Sequence, residues 1–275
     1  GQRPRRTGVP LLPCRDDRGD GSGVAAVTNP LPTDVAMRVL ARSLLVQAAW
    51  NHQTRQGTGM AYAMIPALEY IHRSPEALQE ALNRHAAPFN AHPYLDTLAL
   101  GSLCRLEADG ESDEAIRRFR GAIGGPLGAL GDRLVWAGWL PLCTVLAVCL
   151  YLAGLGPIWT VLAFLVTYNA GHLWLRVWGF REGWGAGIGV AARLRGAGLA
   201  EVSARLERWL AASLGLLVGL AIMAPAVAGR LPIPWAVAGL AVMAVGAVAG
   251  PRAWRATAVA TVAAVGSILT FGLFV

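Results

Sequence analysis

Long apolar stretches dominate the second half of the chain. A helix of about 20 apolar residues spans the roughly 30 Å hydrocarbon core of a bilayer. Stretches of about this length lie at residues 134–155, 157–178, 209–229, 233–250 and 254–275. Short or glycine-rich stretches can instead form broken or re-entrant helices. The pattern predicts an all-α, polytopic helical membrane protein in which residues 134–275 form the transmembrane region.

The first half has the mixed polar and apolar periodicity of amphipathic helices. Ser74-Pro75-Glu76 indicates a helix start, because it offers a side-chain cap, a proline in the first turn and an acid near the positive helix end. The polar residues before Pro93 break the helical pattern. We predict an amphipathic and re-entrant helical region over residues 34–133, with helices at 34–56, 59–72, 75–87, 94–108 and 113–123.

Composition agrees with a membrane location. The chain is 55% hydrophobic and 15% charged, whereas soluble domains carry about 25% charged residues. Its net charge is +7, and all of its Lys and Arg positions are arginine. In a chain this hydrophobic, that charge fits anionic membrane lipid better than nucleic acid, so we expect no nucleic-acid partner. The four cysteines lack metal-ligand spacing, and we expect no metal and no cofactor. Residues 1–33, rich in Arg, Gly, Pro and Asp, are predicted to be a disordered tail.

Arginine placement predicts the orientation of the spans, because positively charged connections remain in the cytoplasm. The connection around Gly156 carries no charge, whereas the connection at 180–208 carries five arginines, namely Arg181, Arg193, Arg195, Arg205 and Arg208. The pattern therefore predicts a cytoplasmic N-terminal half and a cytoplasmic 180–208 connection.

Three polar clusters interrupt apolar surroundings and are candidates for a functional site. The first contains Gln47, Trp50 and Asn51, of which Gln47 and Asn51 share one face of the predicted helix. Amide groups can hydrogen-bond sugar hydroxyls in both directions, and the ring of Trp50 can stack on the apolar face of a pyranose. The alternative, which the residues alone favour, is hydrogen bonding between packed helices.

The second cluster precedes Pro93 and contains Asn90 and His92. Proline removes a backbone donor and disfavours helix at the preceding residue. Unwound backbone at such a break often forms a transport site, although an ordinary turn between two helices fits equally well.

The third cluster leads into the first apolar stretch and is rich in helix-breaking residues, namely Gly124, Gly125, Pro126, Gly128 and Gly131. They argue against a long helix and predict a hinge or a close approach of helices. Asp132 follows at the membrane boundary, where a carboxylate is costly unless it is paired or solvated. Asp132 either pairs with Arg133, remains solvated, or caps a helix that begins at Leu134.

Three further polar residues lie inside the second apolar stretch. Asn169, His172 and Arg176 are spaced to share one helix face. We expect Arg176 to extend toward the cytoplasmic interface. His172 is interpreted as a packing residue rather than a proton relay or a phosphoryl acceptor.

In their order and spacing the three clusters resemble the IID component of the mannose/fructose/sorbose phosphotransferase family. The family pattern Arg-Ser-x-x-x-Gln-Ala-x-Trp-Asn corresponds to residues 42–51, and Gln-Gly-x-Gly corresponds to residues 56–59. The pattern Phe-Asn-Thr-His-Pro-Tyr corresponds to residues 89–94, and Gly-Pro-Leu-Ala-Gly-Ile-Gly-Asp-Ser corresponds to residues 125–133. The resemblance extends over roughly 38–250, and it departs from the family at Ala91 and Arg133.

The resemblance implies a subunit of a bacterial plasma membrane that pairs with a IIC membrane subunit and takes a hexose across the bilayer. Soluble IIA and IIB proteins carry the phosphate in this family, and IIB phosphorylates the sugar, so the chain itself would not be a phosphoryl carrier. The residues expected to line the sugar path or the IIC interface are Gln47, Trp50, Asn51, Asn90, His92 and Asp132. Two alternatives remain open: a non-transporting regulatory or assembly partner of a IIC-like protein, and an unrelated intramembrane enzyme.

Overall fold

A computed structural model describes residues 31–223 of the chain. The predicted tail before Leu31, the end of the apolar stretch 209–229, and the stretches 233–250 and 254–275 lie outside these residues. The described part folds into helices α1 Thr33–Ser43, α2 Gly57–Ile71, α3 Pro75–Ala86, α4 Asp96–Ala108, α5 Asp113–Gly131, α6 Leu140–Leu152, α7 Pro157–Ala186, α8 Val190–Gly196 and α9 Leu199–Met223. A π-helix, Asp132–Trp139, joins α5 to α6, and a 3-10 turn, Gly187–Gly189, joins α7 to α8.

Two continuous helical stretches are long and apolar enough to cross a membrane. They run over Asp113–Leu152 and Pro157–Gly196 and contain the apolar stretches predicted at 134–155 and 157–178. The all-α prediction is confirmed over the described residues, where extended backbone occurs as isolated bridges.

Helix α3 begins where the local sequence predicts. The Oγ atom of Ser74 accepts a hydrogen bond from the backbone N–H of Ala77 at 3.2 Å, and Pro75 occupies the first turn. Both features satisfy or remove donors that a helix start leaves without partners. Because these contacts are local, the sequence alone was enough to predict this boundary.

Helix α1 ends at Ser43, so the helix predicted over 34–56 is too long. The chain instead forms a loop over residues 44–56, here called the motif loop. Asn51 stabilises it, because its Oδ1 atom accepts hydrogen bonds from the backbone N–H groups of Gln53 and Thr54, both at 2.9 Å. An asparagine side chain used in this way competes with helix formation. Gln47 and Asn51 therefore do not share a helix face.

The glycine-rich third cluster is helical, contrary to the prediction that it would interrupt a helix. Helix α5 continues through Pro126, and the π-helix extends it without a gap into α6. Asp132 lies inside this path, so it does not cap a helix that begins at Leu134. Tertiary packing of Gly124 and Gly131, described below, offsets their low helix propensity.

Helix α4 lies at the centre of the core and is buried over almost its whole length. It packs most extensively on α7. The two backbones approach closely because Gly101 of α4 faces Phe180, while Gly179 and Gly183 of α7 face the backbone and side chains of residues 97–102. A glycine at such a contact allows a helix separation that a side chain would prevent.

A buried ion-pair network centred on Glu107 holds α2, α3, α4 and α5 together. Glu107 accepts a hydrogen bond from the His72 ring at 2.9 Å, one from the His85 ring at 2.6 Å, and two-pronged hydrogen bonds from Arg84 at 2.9–3.0 Å. Arg120 donates to Nδ1 of His85 at 3.2 Å. His85 is therefore the neutral tautomer that carries its proton on Nε2 and donates it to Glu107.

The charges of this network follow from burial and from its hydrogen bonds. Burial alone would raise the pKa of Glu107, but the hydrogen bonds from His72 and His85 and the nearby cations outweigh it and lower that pKa below its ordinary value. Burial lowers the pKa of His85. Arg120 is buried in this network, whereas its neighbours Arg117 and Arg118 are exposed.

Gly183→Ala tests the close packing of α4 and α7. A methyl group at this position would overlap the carbonyl oxygen of Leu98, so we expect the free energy of unfolding to fall by about 1–3 kcal/mol. Gly185→Ala is the matched control in the same helix, because a methyl group there meets nothing within 4 Å. Thermal unfolding of the detergent-purified chain measures both, and equal effects would contradict the packing argument.

Glu107→Gln tests the charge of the buried network. The folded-state pKa of Glu107 is depressed, so its stabilisation is present above the ordinary value of 4.5 and is lost as the pH falls below it. We expect the wild type to lose stability in this acidic range, and Glu107→Gln to be less stable at neutral pH by about 3–5 kcal/mol with a smaller acid dependence. Glu114→Gln removes the charge of an exposed ion pair, and its stability should depend on pH as that of the wild type does. Parallel pH curves for wild type and Glu107→Gln would refute this assignment.

Candidate functional site

The first two polar clusters meet in space, although about 35 residues separate them in the sequence. The backbone N–H of Gln56 donates to the carbonyl of Phe89 at 2.9 Å, and the backbone N–H of Phe89 donates to the carbonyl of Thr54 at 3.2 Å. Arg55, between them, has a left-handed backbone with φ of 54°. This conformation is unfavourable for a side chain other than glycine, and bridges to Asn51 and Phe89 hold it.

The side chain of Gln56 completes the contact between the motif loop and the segment 89–94, here called the junction. Its Nε2 atom donates to the carbonyl of Ala91 at 2.8 Å, and its Oε1 atom accepts from the backbone N–H of Ala91 at 2.9 Å. Gln56 is 1% exposed, so these two bonds satisfy backbone groups that the helix break at 89–94 would otherwise leave buried without partners. Gln56 was not among the predicted site residues, although the Gln-Gly-x-Gly step contains it.

The third cluster packs against the same break. A side chain at Gly124 would collide with the carbonyl oxygen of Asn90, and one at Gly131 would overlap the side chain of His92. Gly125 and Gly128 face open space, where an added methyl group meets nothing within 4 Å. Two of the five predicted hinge or packing residues therefore bring α5 close to the helix break, and Pro126 lies exposed on the opposite side.

His92 is the buried member of the predicted site. Its Nδ1 atom accepts from the backbone N–H of Tyr94 at 3.2 Å, and its ring packs against the rings of Tyr94 and Trp136 with centroid distances of 5.2 and 5.1 Å. Burial lowers its pKa to about 4, against the opposing charge of Asp132. His92 is therefore neutral at physiological pH. Its Nε2 atom has no hydrogen-bond partner within residues 31–223.

The other predicted residues lie at the surface, namely Gln47, Trp50, Asn51, Asn90 and Asp132. Trp50 packs edge-on against His52 with a centroid distance of 5.1 Å. The amide of Asn51 is already used, because it holds the motif loop and also donates to Thr54 at 2.8 Å. The amide of Asn90 and the carboxylate of Asp132 make no side-chain hydrogen bond within the described residues. Arg133 pairs with Glu207 of α9 at 2.9 Å rather than with Asp132.

A separate group of polar residues, outside the three clusters, surrounds Arg176. This arginine is 5% exposed and does not extend to the interface as predicted. Its guanidinium donates to Nε2 of His172 at 2.8 Å and to both the carbonyl and the hydroxyl of Ser43 at 3.1 Å. It lies 5.4 Å from the ring of Tyr94 and 3.5 Å from Asp96. His172 is a hydrogen-bonded packing residue, stacked on Tyr94 with a centroid distance of 3.9 Å.

Asp96 is an unusual buried acid. It is fully buried, and its Oδ2 atom has no hydrogen-bond partner within residues 31–223. Burial raises its pKa to about 8, although the charge of Arg176 opposes this shift. Asp96 is therefore mostly protonated at neutral pH.

The exposed residues of the predicted site carry groups that form hydrogen bonds. Amides and a carboxylate can bind hydroxyl groups, and an indole ring can cover an apolar sugar face. Within residues 31–223 no group of three histidine, cysteine or acidic residues is arranged to hold a metal ion.

Comparison with known proteins identifies a family. The profile of the "PTS system mannose/fructose/sorbose family IID component" matches residues 31–247. The chain is 30% identical over 173 residues to the mannose-specific EIID component of Escherichia coli K12, covering 60% of each chain. It is 32% identical over 162 residues to the sorbose-specific EIID component of Klebsiella pneumoniae, covering 56% of this chain and 58% of the relative. The matches thus span about 60% of the length of the curated relatives.

A solved structure has a similar fold. A chain of the mannose transporter ManYZ, determined by cryo-electron microscopy in complex with microcin E492, superposes with a TM-score of 0.53 and 28% identity. The superposition covers 69% of this chain and 70% of that one.

Gln56→Glu tests the junction between the motif loop and the helix break. The carboxylate can still accept from the N–H of Ala91, but its second oxygen would face the carbonyl of Ala91 without a proton to share. We expect a loss of about 1–3 kcal/mol in the free energy of unfolding. Gln53→Glu makes the same change at an exposed position of the same loop and should be nearly neutral. Thermal unfolding compares the two variants, and similar stability would show that Gln56 does not hold the junction.

Proposed function

Because the chain belongs to the mannose/fructose/sorbose family of phosphotransferase IID components, we propose that it is the IID membrane subunit of a bacterial sugar permease. In this role it pairs with a IIC subunit in the plasma membrane, and the pair moves a hexose across the bilayer. A IIB protein, supplied with phosphate by IIA, phosphorylates the sugar.

One observation carries this proposal: the segments of the family resemblance at 42–59 and 125–133 meet around the third, the helix break at 89–94, although they are far apart in the sequence. The motif loop is joined to the break through Gln56, and α5 packs on it through Gly124 and Gly131. This segment is the connection between α3, which ends at Ala86, and α4, which begins at Asp96. Its unwound backbone and the polar side chains beside it can bind a substrate.

The exposed polar residues around this junction supply the proposed sugar contacts. Asn90 and Gln47 offer amides that can donate to and accept from hydroxyls, and Trp50 offers an aromatic face. Asp132 lies in a helix apolar enough to span the membrane. A carboxylate there is costly unless it faces water, substrate or a polar partner, which favours a place for Asp132 on the sugar path or at the IIC interface.

The remaining predicted site residues act indirectly in this proposal. Asn51 shapes the motif loop, and the buried ring of His92 supports the break from behind. The N-terminal half and the arginine-rich 180–208 connection are proposed to face the cytoplasm and its anionic lipid, on the side where IIB docks.

A non-transporting regulatory or assembly partner of a IIC-like protein is the alternative function. The cation at Arg133, where the family has a small residue, is the feature that favours it. Uptake of labelled mannose distinguishes the two functions, measured in a phosphotransferase-deficient host that expresses native IIA, IIB and IIC with or without this chain. Uptake that requires the chain supports the permease subunit. A stable IIC complex without uptake of any hexose tested supports the alternative.

Asn90→Ala and Asp132→Asn test the proposed sugar path in the same assay. Each removes a hydrogen-bonding group or charge worth about 1–3 kcal/mol, so we expect uptake to fall by about 5- to 150-fold while the IIC complex is still recovered. Asn83→Ala and Glu114→Gln are matched controls at exposed positions away from the junction and should retain uptake. Wild-type uptake in both site variants would remove these residues from the path.

A further inference from the structure

We propose that Arg176 is the positioning residue for the motif loop, because it caps the C-terminal end of α1, where that loop begins. The assignment to α1 depends on geometry alone. The consequence for sugar uptake rests on the proposed function of the loop.

The contacts of Arg176 converge on the last residue of α1. One guanidinium nitrogen donates to the carbonyl oxygen of Ser43 at 3.1 Å and to its hydroxyl oxygen at 3.1 Å. The hydroxyl of Ser43 is oriented by its own bond to the carbonyl of Leu40 at 2.7 Å. Ser43 is separated from Arg176 by 133 residues and is fully buried, so a residue of α7 holds the end of α1.

The end of α1 is a suitable partner for a buried cation. The last carbonyl groups of a helix lack helical partners and carry partial negative charge, so a cation near them is stabilised. The first residues of the motif loop bind carbonyl groups at the same helix end. The backbone N–H of Leu45 donates to the carbonyl of Arg42 at 2.9 Å, and that of Val46 donates to the carbonyl of Ser43 at 3.2 Å. Arg176 therefore binds at the point where the helix changes into the loop.

Asp96 is the obvious alternative partner, but the geometry assigns it a lesser role. Its nearest oxygen is 3.5 Å from the guanidinium, which is longer than the contacts to Ser43, and its second oxygen has no partner in the described chain. An ionised buried carboxylate beside an arginine would form short, charge-assisted bonds of about 2.7–2.9 Å. By distance, the end of α1 is the stronger partner of Arg176.

The side chain of Arg176 is itself held in place. Its Nε atom donates to His172 one turn earlier in α7, and its guanidinium lies over the ring of Tyr94 at the helix break. The motif loop thus has an anchor at each end, Arg176 at Ser43 and the Gln56 side chain at Ala91. Loss of the contact between Arg176 and Ser43 should increase the mobility of residues 44–50, while the hydrogen bonds between Gln56 and Ala91 remain.

A spin label on the motif loop tests this assignment in the full chain. Ala48→Cys places the label on an exposed loop residue, and Ala122→Cys places a control label on the exposed face of α5. Cys14 is changed to serine in both, and Cys104, Cys143 and Cys149 are buried. We expect Arg176→Gln to increase label mobility at position 48 and to leave the label at 122 unchanged. Asp96→Asn should leave both spectra as in the wild type.

Two results would overturn the proposal. The first is an unchanged spectrum at position 48 in Arg176→Gln. The second is an increase in mobility in Asp96→Asn as large as in Arg176→Gln, which would make Asp96 the anchor. If Arg176→Gln does not fold, Arg176→Lys keeps the charge but loses the bond from Nε to His172. It should give intermediate mobility at 48, and an unchanged spectrum there would count equally against the proposal.

Uptake kinetics with the IIC, IIB and IIA partners separate this proposal from the proposed function. A mispositioned loop should raise the apparent KM of Arg176→Gln severalfold with a smaller effect on the maximal rate, while Asp96→Asn stays near the wild type. A looser label at 48 with unaltered uptake would support the role of Arg176 and refute the role of the loop in the sugar path.

Discussion

The paired hydrogen bonds between the Gln56 side chain and the backbone of Ala91 are the contact on which the rest of this arrangement depends. A helix break inside a packed bundle leaves backbone donors and acceptors without partners, and each buried unsatisfied group is costly. One amide side chain can satisfy a donor and an acceptor together, because it carries both functions. With this segment fixed, α5 can pack on it through glycine, and the three motif segments occupy one region.

Glycine has the opposite effect here from the one its helix propensity suggests. Gly124 and Gly131 lie in a continuous helix, where each costs about 1 kcal/mol relative to alanine, but they allow α5 to contact the carbonyl of Asn90 and the ring of His92 directly. Gly183 does the same for α4 and α7. Close packing of backbone on backbone recovers dispersion energy that bulkier helices would lose, so the predicted hinge is a packing surface at two positions.

The sequence predicted those features that local contacts determine. The start of α3 at Ser74 and the apolar stretches at 134–155 and 157–178 depend on a few neighbouring residues or on hydropathy, and the structure has them. Past the end of α1 the Asn51 side chain binds the backbone of the motif loop, and Arg176, 133 positions away in the sequence, binds Ser43. Helical periodicity continues past that point, but it contains no information about Arg176. The burial of Arg176 was missed because an arginine near the end of an apolar stretch usually reaches water, and its buried partners are distant in the sequence.

The two departures from the family pattern have different structural consequences. Ala91 lacks the hydroxyl of the family's threonine, but Gln56 binds its backbone, so the junction does not need that side chain. Arg133 adds a cation beside Asp132, yet successive residues of a helix point in different directions, and Arg133 pairs with Glu207 of α9. The new charge is therefore paired at the surface of the described residues, and the carboxylate of Asp132 remains exposed. In the proposed role Asp132 can still bind a hydroxyl or a group of the IIC subunit.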